Sequence, residues 1–343
     1  MKGLRDLMPS HIFYIYAPPW APWSAGIRVL HYLTDHLNVL GFEAYLVLHG
    51  PRTASEVFDE LNTPILTQHL LKLHKKSKSK IIAIYTESII GNPLNTPHVI
   101  RWILNYPGLL AGPTVYPNEI VFPYTKSIAG KMHDSKNLTT LFVPALKSEE
   151  IRSASVFESS VNGEEYEVVY AQKYRALGGA PAKLERNQIE LVRFGKEAPD
   201  RRKTLSLIKG AELVHVYENT TVVTEAVLLG TPVICHKNEY FDELLAGDEL
   251  NMSGISWDAS QIEKPNMTEN FQLLEKAEEA AKQRIFEIFS NLSLKGNAVG
   301  DQADIVLPRR GLITRHSLSR AKNVLLKKGP FVLIKFFRNY VNR

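Results

Sequence analysis

The chain has 343 residues, of which 44% are hydrophobic and 22% charged. This is an ordinary composition for folded proteins, so a wholly disordered chain is excluded, and the length is sufficient for two domains. Cys235 is the single cysteine, which excludes an intrachain disulfide and a zinc site built from several thiolates. The net charge of +5 is uneven, because residues 309–343 carry ten Lys or Arg and no acidic residue. The remainder holds 31 basic and 36 acidic side chains, which argues against nucleic acid as a partner.

No targeting or membrane-spanning segment is apparent in the sequence. Asp6 and Pro9 interrupt the apolar stretch that a signal peptide would need. There is no run of about 18 apolar residues, the length that a transmembrane helix requires. A lone cysteine also fits a reducing compartment. We therefore expect a cytoplasmic protein.

The first half of the chain alternates strands and helices. HIFYIYA (11–17) is an apolar run typical of a strand buried on both faces. IRVLHYLTDHLNVLG (27–41) has leucines at helical spacing and a terminal glycine. Further strands are predicted at 42–50, 80–87 and 141–146. A strand, a loop, a helix and another strand in this order open a parallel α/β domain.

A second α/β series begins after the polar stretch 147–165. Strands are predicted at 165–171, 189–194, 211–217 and 231–236. Helices are predicted at 201–210 with Asp200 as N-cap, at 222–230, and from 268 to about 292. Short, regularly alternating elements indicate a doubly wound sheet. We predict domains at residues 1–155 and 156–300, followed by a basic tail at 301–343.

The segment ENTTVVTEAV, which starts at Glu218, has the composition of an anion-binding loop. Thr220 and Thr221 precede a predicted helix, whose N-terminal N–H groups attract a diphosphate. Glu218 and Glu225 are placed to accept hydrogen bonds from a ribose diol or sugar hydroxyls. The alternative is that Asn219 and Thr220 only cap the helix while Glu225 is a solvated residue.

The whole stretch ENTTVVTEAVLLGTPVI resembles the donor-site signature of GT-B glycosyltransferases, above all at Glu225-Ala226 and Gly230–Ile234. In the retaining group similar to family 4, seven residues separate the two glutamates, whereas six separate Glu218 from Glu225 here. The resemblance implies two Rossmann-like domains facing a cleft and a nucleotide-diphosphate sugar as substrate. It also implies that Glu225 binds the ribose and that residues 219–221 face the phosphates or the sugar.

A second stretch, IYTESIIGNPLNTPHVIRWILNYPG (84–108), is similar to a segment of bacterial glycosyltransferases from lipopolysaccharide and capsule clusters. Gly91-Asn92-Pro93 predicts a turn, with Arg101 and Trp102 on a helix after it. Asn92 and Arg101 are candidate substrate-binding residues. The alternative is that Asn92 only forms the turn and that Arg101 only pairs with Glu87.

Basic residues in two other loops complete the candidate site. Related enzymes place Arg or Lys after the first strand of the second domain, and Lys173 and Arg175 match that position. A fixed cation there stabilises the negative charge that develops on a leaving diphosphate. In the first domain, Gly26 in the loop PWSAG lets the backbone approach the diphosphate, with Arg28 nearby. Glu87 is a candidate general base for an inverting route.

No protein-held metal or cofactor is expected, since the histidines lack ligand spacing and the Asp-x-Asp of the GT-A type is absent. In the tail, PFVLIKFFRNYVNR (330–343) has the pattern of a basic amphipathic helix, which suits an anionic membrane surface. The alternative is that its apolar face packs on the N-terminal domain.

Together, these features predict a metal-independent, retaining GT-B glycosyltransferase at the inner face of the membrane. It would move a sugar onto a glycan or lipid-linked acceptor of a surface polysaccharide. The alternatives are a sugar-nucleotide epimerase of the same fold and a non-catalytic glycan-binding protein.

Overall fold

The computed structural model describes residues 11–53, 55–77, 79–109, 112–132, 138–155, 165–185, 187–193, 199–294 and 305–308. The basic tail from 309 onward, with the predicted amphipathic helix, lies outside the described residues. Within the described part, no helix is long and apolar enough to cross a membrane. The chain divides into two compact units.

Among the described residues, the first unit contains those up to Val143 and those from Glu279 to Pro308. Its strands and helices are β1 (His11–Ala17), α1 (Ala25–Val39), β2 (Glu43–Leu48), α2 (Gln68–Lys76), β3 (Lys80–Thr86), β4 (His98–Ile103), β5 (Ile120–Pro123) and α3 (Lys126–Gly130). The five strands form one parallel sheet, sheet A, in the order β2-β1-β3-β4-β5. Strands β1 and β3 are buried along almost their whole length, as expected for central strands covered on both faces.

The second unit contains residues Pro144–Glu278. Its elements are α4 (Ser148–Ser155), β6 (Glu167–Tyr170), α5 (Gln172–Ala176), β7 (Gln188–Glu190), α6 (Arg201–Gly210), β8 (Val214–Val216), α7 (Val222–Leu228), β9 (Val233–Cys235), α8 (Gly247–Leu250), β10 (Ile255–Ser256), a 3-10 turn (Ala259–Gln261) and α9 (Met267–Ser290). The strands form a second parallel sheet, sheet B, in the order β10-β9-β8-β6-β7. The predicted architecture of two Rossmann-like α/β regions is confirmed.

The two units divide the chain at different points from the predicted boundaries of 155 and 300. Helix α4 belongs to the second unit, because Glu150 accepts a hydrogen bond from Arg201 of α6 at 2.8 Å. Helix α9 begins in the second unit and ends in the first, where Phe289 packs edge-on against Phe13 of β1. The long helix therefore contributes to both cores.

Most predicted elements lie where the sequence placed them, with two exceptions. Residues 98–103 form strand β4 rather than a helix, because HVIRWI is rich in β-formers and pairs in register with β3. Residues 141–146 are not a strand: Leu141 donates one backbone hydrogen bond to Pro123, and no ladder continues from it within the described residues. The N-cap at Asp200 is confirmed, since its side chain accepts from the backbone N–H of Lys203.

Candidate functional site

The carboxyl ends of three neighbouring strands of sheet B bring the candidate donor-site loops together. Strand β6 leads into α5, β7 ends just before Arg193, and β8 leads through residues 217–221 into α7. Because β7, β6 and β8 are adjacent and parallel, the loops that follow them meet at one edge of the sheet. Ligands of open α/β sheets bind at this edge.

Glu218 lies two residues after the end of β8. It is 5% exposed, and its side chain binds the start of α5. Its Oε2 accepts the backbone N–H groups of Lys173 and of Tyr174, the latter at 2.9 Å. Its Oε1 lies 3.9 Å from Lys173 Nζ and is buried without a hydrogen-bond partner among the described residues. Burial raises the pKa of Glu218 above its usual range, although Lys173 and the two N–H groups oppose the shift. This oxygen is an acceptor that a ligand hydroxyl can satisfy.

The two predicted cations of α5 have different surroundings. Lys173 is half-exposed and its Nζ donates to the carbonyl oxygen of Asn219 at 3.1 Å, so it lies over the loop after β8. Arg175 forms an ion pair with Glu190 at the end of β7, with Nε 2.6 Å from Oε1. Lys173 is therefore the cation of α5 that reaches the predicted diphosphate loop.

Arg193 is a buried cation of this site that was not among the predicted site residues. Its Nη1 donates to the hydroxyls of Thr221 at 3.1 Å and Thr220 at 3.4 Å, and its Nη2 donates to Glu225 Oε1 at 3.1 Å. Its backbone N–H donates to the side chain of Gln172 on α5. Arg193 thus connects all three loops. The signal was present in the sequence, since an arginine at the carboxyl end of the apolar run IELVRF is placed at the ligand-binding edge.

Glu225, on α7, is completely buried and therefore not a solvated residue. Thr221 Oγ1 donates to its Oε1 at 2.9 Å, and Arg201 Nη1 lies 2.9 Å from the same oxygen. Burial opposes the charge of Arg201, but the carboxylates of Glu225 and Glu150 outweigh it and raise the pKa of Arg201. Glu150, Arg201, Glu225 and Arg193 form a chain of alternating charges at this edge of the sheet.

The loop between Glu218 and α7 is held in place by its own polar side chains. Asn219 Oδ1 accepts the backbone N–H of Leu245 at 3.0 Å, rather than an N–H of the helix. Thr220 Oγ1 accepts the N–H of Val222 at 3.3 Å, so this residue does help to start α7. Thr221 is the N-cap residue by position, but its side chain makes no capping hydrogen bond and bonds to Glu225 instead. The hydroxyls of Thr220 and Thr221 consequently face Arg193.

The remaining predicted residues lie in the first unit, and Arg101 is the most constrained of them. Arg101 lies on strand β4 and forms a two-pronged ion pair with Glu119, at 2.7 and 2.8 Å. Its other three donors bond the carbonyl oxygens of Thr86, Ile89 and Gly91, so its carboxylate partner is Glu119 rather than Glu87. All five N–H groups of the guanidinium are therefore occupied by protein. A direct role of Arg101 in substrate binding stays a prediction.

Asn92 and Glu87 organise the segment after β3. Asn92 Oδ1 accepts from the Tyr85 hydroxyl at 2.8 Å, and its Nδ2 donates to the carbonyl oxygen of Thr96 at 2.7 Å, as in the turn that the sequence predicted. Glu87 is 4% exposed, and its Oε2 accepts the backbone N–H of Leu104 at 2.9 Å. Glu87 and Leu104 follow adjacent strands, so this carboxylate lies at the ligand-binding edge of sheet A.

Gly26 lies within helix α1 rather than in the predicted loop, and Arg28 lies in the same helix, as predicted. Ser24 is the N-cap, so the helix starts before Gly26. The backbone of Gly26 has no unusual conformation, and an added Cβ would meet only Leu104 Cδ1 at 4.0 Å. Arg28 is 1% exposed, on the buried side of the helix. Their predicted contact with a diphosphate stays a prediction.

No metal-binding group of three or more His, Cys, Asp or Glu side chains occurs in the part of the chain that the structure describes. No family model matches the chain, and no curated protein does.

Several solved structures match the chain at low identity. AviGT4, a glycosyltransferase involved in avilamycin A biosynthesis, is 12% identical, over 82% of this chain and 98% of that chain, with a TM-score of 0.41. WaaG, a glycosyltransferase involved in lipopolysaccharide biosynthesis, is 10% identical, over 93% of this chain and 100% of that chain, with a TM-score of 0.39. The glycosyltransferase SnogD from Streptomyces nogalater is 12% identical, over 92% and 99% of the two chains, with a TM-score of 0.37. At such TM-scores these likenesses carry no argument about this chain.

The chain's own residues define its class. It is a protein of two Rossmann-like α/β regions, the second of which has buried charges of both signs at its ligand-binding edge.

Proposed function

We propose that the chain is a GT-B glycosyltransferase that takes a sugar from a nucleotide-diphosphate sugar. The observation that supports this most is the convergence of Lys173, Arg193, Glu218 and Glu225 at one edge of sheet B. Cations suit the diphosphate of such a donor, and carboxylates suit the hydroxyls of its ribose and sugar.

The cations would act on the leaving group. When the bond between the anomeric carbon and the diphosphate oxygen breaks, its electron pair and the new negative charge pass to the diphosphate. Lys173 and Arg193, together with the predicted Arg175, would stabilise that charge, and the hydroxyls of Thr220 and Thr221 would donate to the phosphate oxygens. We propose that these groups take the part that a divalent metal plays in GT-A enzymes.

The carboxylates would recognise the neutral parts of the donor. Glu225 would accept hydrogen bonds from the ribose diol, as the resemblance implies. The buried Oε1 of Glu218 would accept from a hydroxyl of the transferred sugar, which would satisfy an oxygen that has no hydrogen-bond partner in the described residues. Asn219 would hold the loop against the segment around Leu245.

We place the acceptor with the first unit. Glu87 is the proposed contact at the edge of sheet A, while Asn92 and Arg101 would shape that edge through the loop they hold. For Gly26 and Arg28 we keep the predicted approach to the donor diphosphate. The proposed acceptor is a glycan or lipid-linked glycan of a surface polysaccharide, and the proposed outcome is retention of configuration. Attachment of the basic tail to an anionic membrane surface is part of the same proposal, because the tail carries ten basic and no acidic residues.

The test is transfer of labelled sugar from a panel of UDP-, GDP- and ADP-sugars to bacterial lipid and polysaccharide extracts. We expect one donor to give product with the wild type, and Glu225→Ala to lower donor affinity about 10- to 100-fold. Arg152→Gln is the matched control, because Arg152 is an exposed arginine of the same unit that pairs with Glu275. An epimerised nucleotide sugar formed without acceptor would identify an epimerase instead. No binding of any donor would exclude the proposal.

A further inference from the structure

Glu225 has a crowded carboxylate in the structure. Three donors converge on its Oε1: the Thr221 hydroxyl at 2.9 Å, Arg193 Nη2 at 3.1 Å and Arg201 Nη1 at 2.9 Å. A ribose diol that is to bind Oε1 must therefore compete with groups that already contact this oxygen. Two of those groups are charged, and charged donors are the stronger competitors.

The two arginines differ in what else they bind. Arg201 has a second carboxylate, since its Nε donates to Glu150 Oε1 at 2.8 Å. Among the described residues, the Arg193 guanidinium bonds, besides Glu225, only the neutral hydroxyls of Thr220 and Thr221, while its backbone N–H donates to the side-chain oxygen of Gln172. An arriving anion would thus move Arg193 more readily than Arg201, because Arg201 is fixed between two negative charges.

We propose that Arg193 exchanges partners when the donor binds. The guanidinium leaves Glu225 for the diphosphate, and Glu225, still held by Arg201, becomes the acceptor for the ribose diol. Arg193 is then a specificity-determining residue that makes ribose binding depend on the diphosphate. This inference rests on the proposed nucleotide-sugar site and specifies how the ribose and the diphosphate of the nucleotide are recognised.

The exchange predicts positive coupling between two ligands that are not joined to each other. A nucleoside is neutral, so pyrophosphate has no direct electrostatic reason to strengthen its binding. If pyrophosphate removes Arg193 from Glu225, however, the nucleoside meets a carboxylate with one competitor fewer. Pyrophosphate and the nucleoside then bind cooperatively, and the coupling free energy between them arises from the Arg193 side chain.

The experiment is a calorimetric titration of uridine, guanosine and adenosine into the full chain, with and without saturating pyrophosphate. For the nucleoside whose diphosphate binds, we expect pyrophosphate to raise the affinity about fivefold or more. In Arg193→Gln we expect this coupling to disappear, with nucleoside diphosphate affinity lowered about 10- to 100-fold. Arg152→Gln should keep both the coupling and the affinity, as an arginine of the same unit outside the site.

The outcomes separate the inference from the proposed function. Absence of coupling in a wild type that binds a nucleoside diphosphate would overturn the exchange and leave the nucleotide site standing, as would coupling that persists in Arg193→Gln. If no nucleoside diphosphate binds the wild type, the proposed function fails as well. Should Arg193→Gln not fold, the wild-type coupling alone decides, because that measurement needs no variant.

Discussion

The ligand-binding edges of the two sheets both carry buried charge, but they satisfy it differently. At the edge of sheet A, Arg101 gives three hydrogen bonds to backbone carbonyls and two to Glu119. At the edge of sheet B, Arg193 bonds its guanidinium to two hydroxyls and one carboxylate, all of them side-chain groups. A guanidinium whose five N–H groups are all bonded, three of them to backbone, has no capacity left for a ligand, whereas a guanidinium held only by side chains can exchange its partners. The comparison favours a structural role for Arg101 and agrees with the binding role that we propose for Arg193.

Among the substitutions that test this comparison, Arg101→Gln is expected to have the largest effect, a loss of unfolding free energy. Removing the guanidinium leaves Glu119 and three carbonyl oxygens without their donor, which should cost about 3 kcal/mol or more of unfolding free energy. Urea unfolding followed by fluorescence measures this loss. The control is again Arg152→Gln, whose half-exposed ion pair should matter by about 1 kcal/mol or less. If Arg101→Gln is as stable as the wild type but binds substrate poorly, the structural assignment of this residue is wrong.

A somewhat smaller effect is expected from Gly112→Ala, beside Glu87. Gly112 has φ +87, and an added Cβ would lie 1.9 Å from the carbonyl oxygen of Glu87. The backbone of both segments must move, so we expect a loss of about 2 kcal/mol in unfolding free energy.

Gly26→Ala provides the matched control for that substitution. At Gly26 the new Cβ meets nothing closer than 4.0 Å, and alanine favours the helix by about 0.5–1 kcal/mol. Thermal unfolding of the two variants compares them directly. Equal stabilities would show that the edge of sheet A is not as tightly packed as described.

The smallest effect concerns the pH dependence of ligand binding at sheet B. Because burial raises the pKa of Glu218 above 4.5, this group takes up a proton at a higher pH than an ordinary glutamate. The neutral acid is the weaker acceptor, so nucleoside diphosphate–sugar affinity should fall as the pH drops from 7.5 towards 5. The same raised pKa means that this group's contribution to folding stability falls as the pH rises from 4.5 through the folded-state value.

Titrations at several pH values in wild type and in Glu218→Gln separate this group from others. The glutamine variant should bind more weakly at pH 7.5 and show a flatter pH profile. An unchanged profile in the variant would assign the pH dependence to another residue.

Much of the fold could be predicted from local sequence, because central parallel strands are continuous apolar runs. HIFYIYA became β1 with the predicted bounds, and the helix that follows differs from its prediction by a few residues. The prediction of a helix after the turn at Asn92 was wrong, because HVIRWI contains β-branched residues and forms strand β4. Pairing with β3 stabilises the strand over a helix at these residues.

The candidate site was partly predictable for a related reason. Glu218, Thr221 and Glu225 are close in sequence and follow one strand, so their proximity could be expected. Arg193 and Arg201 come from other elements, and only the strand order of sheet B brings them to Glu225. Ion pairs across a sheet depend on tertiary register, which a single sequence does not encode in any local pattern.

Amide hydrogen exchange with and without the nucleoside diphosphate that binds best tests whether the edge of sheet B holds the nucleotide. We predict slower exchange at residues 172–176 and 217–225, the loops at the edge of sheet B, with little change at 87–104 of sheet A. Protection confined to 87–104, with the loops of sheet B unchanged, would contradict it.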